Sequence, residues 1–113
     1  MNKVEAIIRP ERVALVAEAL AEAGFIGLNV AHVTGRGVQK GIQHVGRGGI
    51  TVTVDMLPKT KLEVVCKDAD VDKVIEIIVE SARTGEIGDG KIFVTPVTQT
   101  VRVRTGERGD AAI

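Results

Sequence analysis

A chain of 113 residues with fifteen basic and fifteen acidic side chains fits a single domain without net charge. The balance gives no reason to expect nucleic acid as a partner, and the apolar runs are too short to span a membrane. The only cysteine, Cys66, excludes an internal disulfide and lies in an apolar run, which predicts a buried, unreactive thiol. Because no signal-peptide pattern precedes the first strand, we expect a cytoplasmic protein.

The first half of the chain has the pattern of a strand, a helix and a second strand. Residues 3–9 have a strand pattern, and Pro10 suits the first turn of a helix, with Glu11 near the positive end of the helix dipole. Apolar residues then recur at helical spacing until Gly24. Residues 28–35 have a second strand pattern.

A long polar segment, 37–55, separates the two halves of the chain. It contains five glycines, and residues 50–54 alternate in a way that predicts one arm of a hairpin. A segment of this length in a compact domain is either a binding loop or a tolerated surface insertion. Its polar and charged members include Gln39, Lys40, His44 and Arg47.

The second half repeats the order of the first. Residues 61–66 have a strand pattern, and Asp68 or Asp70 is placed to cap the helix that follows. Gly85 ends this helix. Its apolar stripe consists of Val71, Val74, Ile75, Ile78 and Ala82.

Two further strand patterns, 91–97 and 98–104, complete the chain with a bend near Pro96. The repeated strand–helix–strand order predicts an α+β fold with two helices on one face of an antiparallel sheet. We therefore expect a ferredoxin-like βαββαβ sandwich with an extra C-terminal strand.

A glycine-rich stretch, 84–94, connects the second helix to the next strand. Its glycines allow a tight turn and bring backbone N–H groups close to a ligand, and Lys91 supplies a positive charge for phosphate. The alternative is a helix C-cap at Gly85 followed by an ordinary turn.

The basic C-terminal segment places Arg102 and Arg104 on one face of the expected strand. Two guanidinium groups on one face match the geometry of a polyphosphate. A solvated edge strand protected by charge against aggregation is the alternative.

Other chemistry has little support. His32 and His44 lack metal-ligand spacing, no serine or cysteine lies in a nucleophile motif, and Asp68 and Asp70 resemble helix-start residues. The chain has no tyrosine or tryptophan, so a base-stacking RNA platform is excluded.

Taken together, these segments resemble the PII family of nitrogen-regulatory signal proteins across essentially the whole chain. The most specific stretch is 84–94, which resembles the family's C-terminal signature, while 101–107 and 35–41 resemble two further family loops. By resemblance, the T-loop spans about 37–55, the B-loop about 83–91 and the C-loop about 102–109.

The resemblance implies a homotrimer of regulatory, non-enzymatic subunits that bind ATP or ADP in the clefts between them. Each cleft would take the T-loop base and B-loop from one subunit and the C-loop arginines from its neighbour, with Glu63 near the base. The implied nucleotide-binding residues are Gly35, Arg36, Gly37, Val38, Gln39, Glu63, Gly88, Asp89, Gly90, Lys91, Arg102 and Arg104.

The resemblance also implies that 2-oxoglutarate binds together with Mg-ATP. The Gln39 amide oxygen would ligate Mg²⁺ beside the ATP phosphates, and Lys59 would pair with the distal carboxylate. The implied 2-oxoglutarate-binding residues are Arg9, Gln39, Lys40, Gly41, Lys59 and Ile87.

Arg47 would lie near the T-loop tip and contact a partner, either an ammonium transporter or a nitrogen-assimilation enzyme. A transporter partner would bring this cytoplasmic protein to the membrane without inserting it. A solvated loop arginine is the alternative.

The chain departs from the family pattern in its lack of a T-loop tyrosine and in Val38, which replaces a common arginine. Arg36 either compensates for the arginine that Val38 replaces or points to solvent. These changes resemble archaeal or nitrogenase-linked branches, so a nitrogenase-regulating protein is one alternative. A small ferredoxin-like enzyme acting on phosphorylated substrates, with Asp89 as its base, and a purely structural trimer are the others.

Overall fold

A computed structural model describes residues 1–38, 44–45, 51–52 and 54–113. Its two helices follow short 3-10 turns, Pro10–Arg12 and Asp68–Asp70, and a third such turn, Gly109–Ala112, lies near the C-terminus. The strands are β1 (Asn2–Ile8), β2 (Asn29–Val38), β3 (His44–Val45), β4 (Thr51–Val52), β5 (Val54–Cys66) and β6 (Gly90–Pro96), and the helices are α1 (Val13–Glu22) and α2 (Val71–Ala82).

The main sheet is antiparallel with the order β2-β5-β1-β6. Ile8 at one end of β1 lies opposite Thr60 of β5 and Gly90 of β6. Asn2 at the other end lies opposite Cys66 and Pro96. The two ends of β1 therefore define two ends of the sheet.

Both helices cover one face of the sheet and enclose the core. Alternate residues of β1 and β5 point toward the helices, which explains why the two strands supply over half of the buried side chains. The predicted stripe of α2 is confirmed. The core consists of Val4, Ala6, Ile8, Val16, Leu20, Leu62, Val64, Cys66, Val74, Ile78 and Ala82, with Val71 and Ile75 packed against it.

The ferredoxin-like prediction is confirmed, as is the start of the first helix. Pro10 occupies the first turn, where its missing N–H costs nothing, and Gly24 ends the helix with a φ of 96°. The thiol of Cys66 is buried, and this burial raises its pKa.

The predicted aspartate cap of α2 is wrong. Asp70 directly precedes the helix but makes no side-chain capping hydrogen bond, and its N–H donates to the Lys67 carbonyl oxygen at 2.9 Å. The Asp68 carboxylate instead accepts a hydrogen bond from the Asn2 side-chain amide. A 3-10 turn therefore leads the chain into this helix without a side-chain cap.

The predicted C-terminal strand 98–104 is also wrong. Only an isolated bridge joins Val101 to Arg108, because the chain reverses between them. Gly106, with a φ of 72°, donates its N–H to the Arg102 carbonyl oxygen at 2.8 Å. The glycine at a left-handed position makes this turn accessible and breaks the strand pattern.

Strands β2 and β5 are longer than the sequence predicts. Their register runs from Asn29 opposite Glu63 to Val38 opposite Val54, so the two strands form an arm. Between β2 and β5 in the chain, β3 pairs with β4. This pairing agrees with the hairpin predicted at Thr51 and Val52. Of the other predicted members of that hairpin arm, Val54 begins β5 and pairs with Val38, and Ile50 and Thr53 lie outside the described residues.

Neither α1 nor α2 has the length and hydrophobicity needed to cross a bilayer, and the described part of the chain contains no other α-helix.

Candidate functional site

The loop between α2 and β6 is organised around the Asp89 carboxylate. Its Oδ2 accepts hydrogen bonds from the backbone N–H groups of Thr84 and Gly85, both at 2.9 Å. Its Oδ1 accepts from the Thr84 hydroxyl and from Arg9 Nε, the latter at 3.1 Å. We call this arrangement of Asp89 with Thr84, Gly85 and Arg9 the aspartate clasp.

The clasp stabilises the charged form of Asp89. The Thr84 hydroxyl, followed by the two backbone N–H groups and Arg9, holds the pKa of Asp89 well below its usual range, although burial opposes the shift. Asp89 therefore stays ionised far into the acid range.

Two cations lie behind the same loop. Arg9 Nη2 donates to the Ile87 carbonyl oxygen at 2.8 Å, and Lys59 Nζ donates to the Gly88 carbonyl oxygen at 2.6 Å. Burial, followed by repulsion from Arg9, lowers the pKa of Lys59. The carboxylates of Glu11 and Asp89 oppose this shift, so two positive charges lie close together behind the loop with two acidic groups nearby.

The loop turns two backbone N–H groups away from these cations. No peptide bond in this loop is cis, so the carbonyl of Ile87 and the N–H of Gly88 point in opposite directions, as do the carbonyl of Gly88 and the N–H of Asp89. Neither N–H has a hydrogen-bond acceptor in the described part of the chain. Successive N–H groups of this kind form a concave anion-binding nest.

Gly90 and Lys91 follow the nest at the start of β6. Gly90 has a φ of 107° and packs directly on the backbone of Ile7. The Lys91 side chain is exposed and makes no hydrogen bond or ion pair with the described residues. Its ammonium group is therefore available to a ligand.

The base of the β2–β5 arm borders this site. A Cβ on Gly35 would lie 3.3 Å from Lys59 Cγ, so Gly35 packs against the lysine stem. Arg36 is exposed and lies on the other face of β2, opposite Met56. Gly37 and Val38 continue β2, and the predicted site residues outside the described part are Gln39, Lys40, Gly41 and Arg47.

The two C-terminal arginines differ in their surroundings, and the prediction that they share one strand face is wrong. Arg102 donates through Nη1 to Glu107 Oε1 at 3.1 Å and through Nη2 to the Ala111 carbonyl oxygen at 3.2 Å. Arg104 is exposed and makes no such contact within the described residues. The turn ended by Gly106 separates their environments.

A cavity of 680 Å³ lies beside the C-terminal segment. Its walls come from the turn before β2, the end of β5 and the C-terminal residues, and include Phe25, Leu28, Glu63 and Thr100. The Glu63 carboxylate lies 3.5 Å from Lys61 Nζ and 4.0 Å from Lys3 Nζ. The cavity thus has both apolar and polar walls, and its lining residues include three acidic side chains, Glu63, Asp70 and Asp110.

The nest and the cavity lie at opposite ends of the sheet. The nest precedes Gly90, which pairs with Ile8, whereas the cavity includes Cys66, which pairs with Asn2. Six residues of strand separate these ends by about 20 Å. One chain therefore brings Arg9, Lys59 and the 87–91 segment together, but not Glu63, Arg102 or Arg104 with them.

Sequence reasoning missed two parts of these sites. Gly85 was expected to end the second helix, but α2 ends at Ala82. The signal for the clasp was an aspartate five residues after a threonine in a glycine-rich turn. The cavity wall at Phe25 and Leu28 had a weaker signal, an apolar stretch interrupted by Gly27.

The family described as "Nitrogen regulatory protein P-II" matches residues 1–107 of this chain. The chain belongs to the PII family of nitrogen regulatory proteins. A relative named "Nitrogen regulatory protein P-II 2" from Methanothermobacter thermautotrophicus is 52% identical over 113 residues, covering 100% of this chain and 97% of the relative. The "Nitrogen regulatory protein P-II" of Azospirillum brasilense is 53% identical and is covered completely, as is this chain.

Among solved structures, this PII chain is similar to "Arabidopsis thaliana PII bound to citrate", with a TM-score of 0.80 and 44% identity. The match covers 98% of this chain and 87% of the Arabidopsis chain. The shared fold and the names of the relatives identify a regulatory protein, not an enzyme. Among the described residues of this PII protein, no cluster of three or more His, Cys, Asp and Glu side chains could hold a metal ion.

Proposed function

We propose that this PII protein senses nitrogen, carbon and energy status by binding ATP or ADP at a site shared by two copies in a homotrimer. The observation that carries the proposal is the division of the site. An anion-binding nest lies at one end of the sheet, and at the other lies a cavity lined in part by the C-terminal segment that carries Arg102 and Arg104. Neither half suffices for a whole nucleotide.

The nest and Lys91 fit the phosphates. The free N–H groups of Gly88 and Asp89 supply aligned donors, and the exposed Lys91 adds a charge. The residues present therefore suit a polyphosphate.

The cavity fits the nucleoside. Its volume lies within the range of small-molecule sites, and Glu63 offers a hydrogen-bond acceptor beside the apolar residues Phe25 and Leu28. Arg104 beside the C-terminal turn would then meet the phosphates held by the next copy. A head-to-tail contact of this kind closes into a ring, for which we propose three subunits.

The pair Arg9 and Lys59 fits the distal carboxylate of 2-oxoglutarate. Two cations held behind the loop attract a dicarboxylate, and the solved Arabidopsis relative bound to citrate supports carboxylate binding as a class. Mg²⁺, when bound, would link the ATP phosphates to the 2-oxo acid, with the Gln39 amide oxygen as the proposed ligand from this chain.

The β2–β5 arm leads to residues 39–53, which we propose as the segment that contacts the target. The target is an ammonium transporter or a nitrogen-metabolism enzyme, and Arg47 is its proposed contact. Ligand occupancy beside Lys59 and Gly35 would then alter the base of this arm.

Subunit mixing tests the shared site. Lys91→Ala and Arg104→Ala chains, each purified alone, should bind ATP weakly. After joint refolding or co-expression, each mixed trimer should regain roughly one intact site, formed from the unaltered Lys91 of one chain and Arg104 of the next. Calorimetry with ATP measures both the affinity and the number of sites.

The control is the double variant Lys91→Ala/Arg104→Ala, refolded or expressed in the same way without a second variant. It should regain no ATP-binding site. Unchanged ATP affinity in both single variants would refute the site. Weak binding that mixing fails to restore would refute its division between subunits.

A further inference from the structure

The Asp89 carboxylate is already surrounded by donors from its own chain. Two backbone N–H groups face Oδ2, and the Thr84 hydroxyl and the Arg9 guanidinium face Oδ1. Only 26% of this side chain is exposed. An anionic ligand would gain no donor here and would be repelled by the carboxylate. The Asp89 carboxylate is therefore poorly suited to contact phosphate, although it lies in the middle of the glycine-rich loop.

The contacts of Asp89 nevertheless determine the shape of that loop. They close residues 84–89 into a ring, and Arg9 ties this ring to the end of β1. Thr84 adds a second link, because its hydroxyl also accepts the N–H of Glu86 at 3.1 Å. The free N–H groups of Gly88 and Asp89 lie within the segment that the ring encloses.

We propose that the Asp89 side chain is a positioning group that holds the loop in the shape that presents these N–H groups to an anion, and that its carboxylate touches no ligand. The inference rests on the proposed nucleotide function, since it assigns a task within that site. Thr84 shares the task through its hydroxyl.

Three variants separate positioning from ligand contact. Asp89→Asn keeps one acceptor oxygen for the two backbone N–H groups but turns an amide NH₂ toward Arg9 Nε, so it breaks the link to β1. Thr84→Val removes the hydroxyl, and Thr84→Ser keeps it as the matched control. Calorimetry with ATP, inorganic tripolyphosphate and adenosine reports which part of the ligand each change affects.

We expect Asp89→Asn and Thr84→Val to weaken ATP and tripolyphosphate binding by roughly tenfold, the loss of about one charge-assisted hydrogen bond. Adenosine binding should not change, and Thr84→Ser should behave as the wild type does. A role limited to stability would lower the melting temperature and leave the ratio of ATP to adenosine affinity unchanged.

Amide hydrogen exchange at Thr84 and Gly85 in the ligand-free protein measures the clasp without any nucleotide. Unchanged ATP and tripolyphosphate affinity in a variant whose exchange is faster would overturn the positioning role alone. Wild-type protein that binds neither ligand would overturn the proposed function and the inference with it, so the two failures are distinguishable.

Discussion

Gly90 packs so closely on Ile7 that a Cβ at residue 90 would lie 1.8 Å from the Ile7 carbonyl oxygen. The contact is between backbones, so no flexible side chain can move aside. The loop that carries the anion-binding nest is therefore seated on β1 through a glycine.

Gly90→Ala should lower the free energy of unfolding by more than about 2 kcal/mol, because the clash adds to the cost of a φ of 107°. Gly85→Ala is the control, since Gly85 has a φ of 89° but nothing within 4 Å of its Cβ position. That variant should lose only about 1–2 kcal/mol. Urea denaturation measures both, and equal losses would contradict the packing argument.

Asp89 should make stability depend on pH in the acid range. Its folded pKa lies below its unfolded pKa, so its stabilising contribution is fully present above an unfolded pKa of about 3.9. The contribution is lost as the pH falls through the lower folded value. The stability difference between wild type and Asp89→Asn should therefore shrink below about pH 4. A difference that stays constant down to the acid limit would refute this linkage.

Lys59 should make carboxylate binding sensitive to alkaline pH. Its folded pKa is lowered, so the ammonium group loses its proton earlier than an ordinary lysine near pH 10.4 would. If the charged form binds 2-oxoglutarate, affinity should fall by up to about tenfold per pH unit above that pKa. Lys59→Arg, which stays protonated, should show no such fall when titrated with 2-oxoglutarate and Mg-ATP. If the affinity of wild type and of Lys59→Arg changed with pH in the same way, Lys59 would be excluded as the residue whose titration controls 2-oxoglutarate binding.

The lowered pKa of Lys59 also predicts the sign of its effect on stability. The folded state binds this proton more weakly than the unfolded state does, so the charge destabilises the fold below the folded pKa. Stability should rise with pH between the folded pKa and about 10.4. Chemical denaturation across this window should show the rise in the wild type but not in Lys59→Arg.

Arg102 and Arg104 should respond differently to truncation. Arg104→Ala should weaken ATP binding at least about tenfold at unchanged stability, because its guanidinium has no contact within the described chain. Arg102→Ala should also lower the free energy of unfolding by about 1 kcal/mol, since Arg102 bonds Glu107 and Ala111. Glu107→Ala, which breaks the pair but keeps the guanidinium, is the control. Equal effects of both arginines on stability would be inconsistent with these contacts.

Nucleotidylation of tyrosine should not occur, because the chain contains no tyrosine. Intact-mass spectrometry of protein from nitrogen-starved and ammonium-treated native cells should find no uridylyl or adenylyl adduct. A phosphate on Thr51 or Thr53 whose level follows nitrogen status would show that another covalent modification has replaced tyrosine nucleotidylation.

The helical periodicity of α2 and the glycine-rich loop predicted the fold and the position of the nest. Those features depend on local sequence, where the spacing of apolar residues and glycines is directly visible. The sequence could not predict that Lys59 reaches Gly88, because that contact joins residues far apart in the chain.

The prediction of a strand in the C-terminal segment, 98–104, was wrong for a different reason. Valine and arginine alternate through residues 101–104, which is typical of a strand, but a single glycine at 106 reverses the chain. Whether such a glycine turns the backbone depends on the available hydrogen-bond partners, here the carbonyl oxygens of Arg102 and Glu107.

The register between β2 and β5 runs without a break from Asn29 and Glu63, at the wall of the large cavity, to Val38 and Val54. Nine steps of strand span about 30 Å. The length of the arm is therefore set by the rise of its backbone, so substitutions of side chains at the cavity wall should leave the distance that the arm extends unchanged.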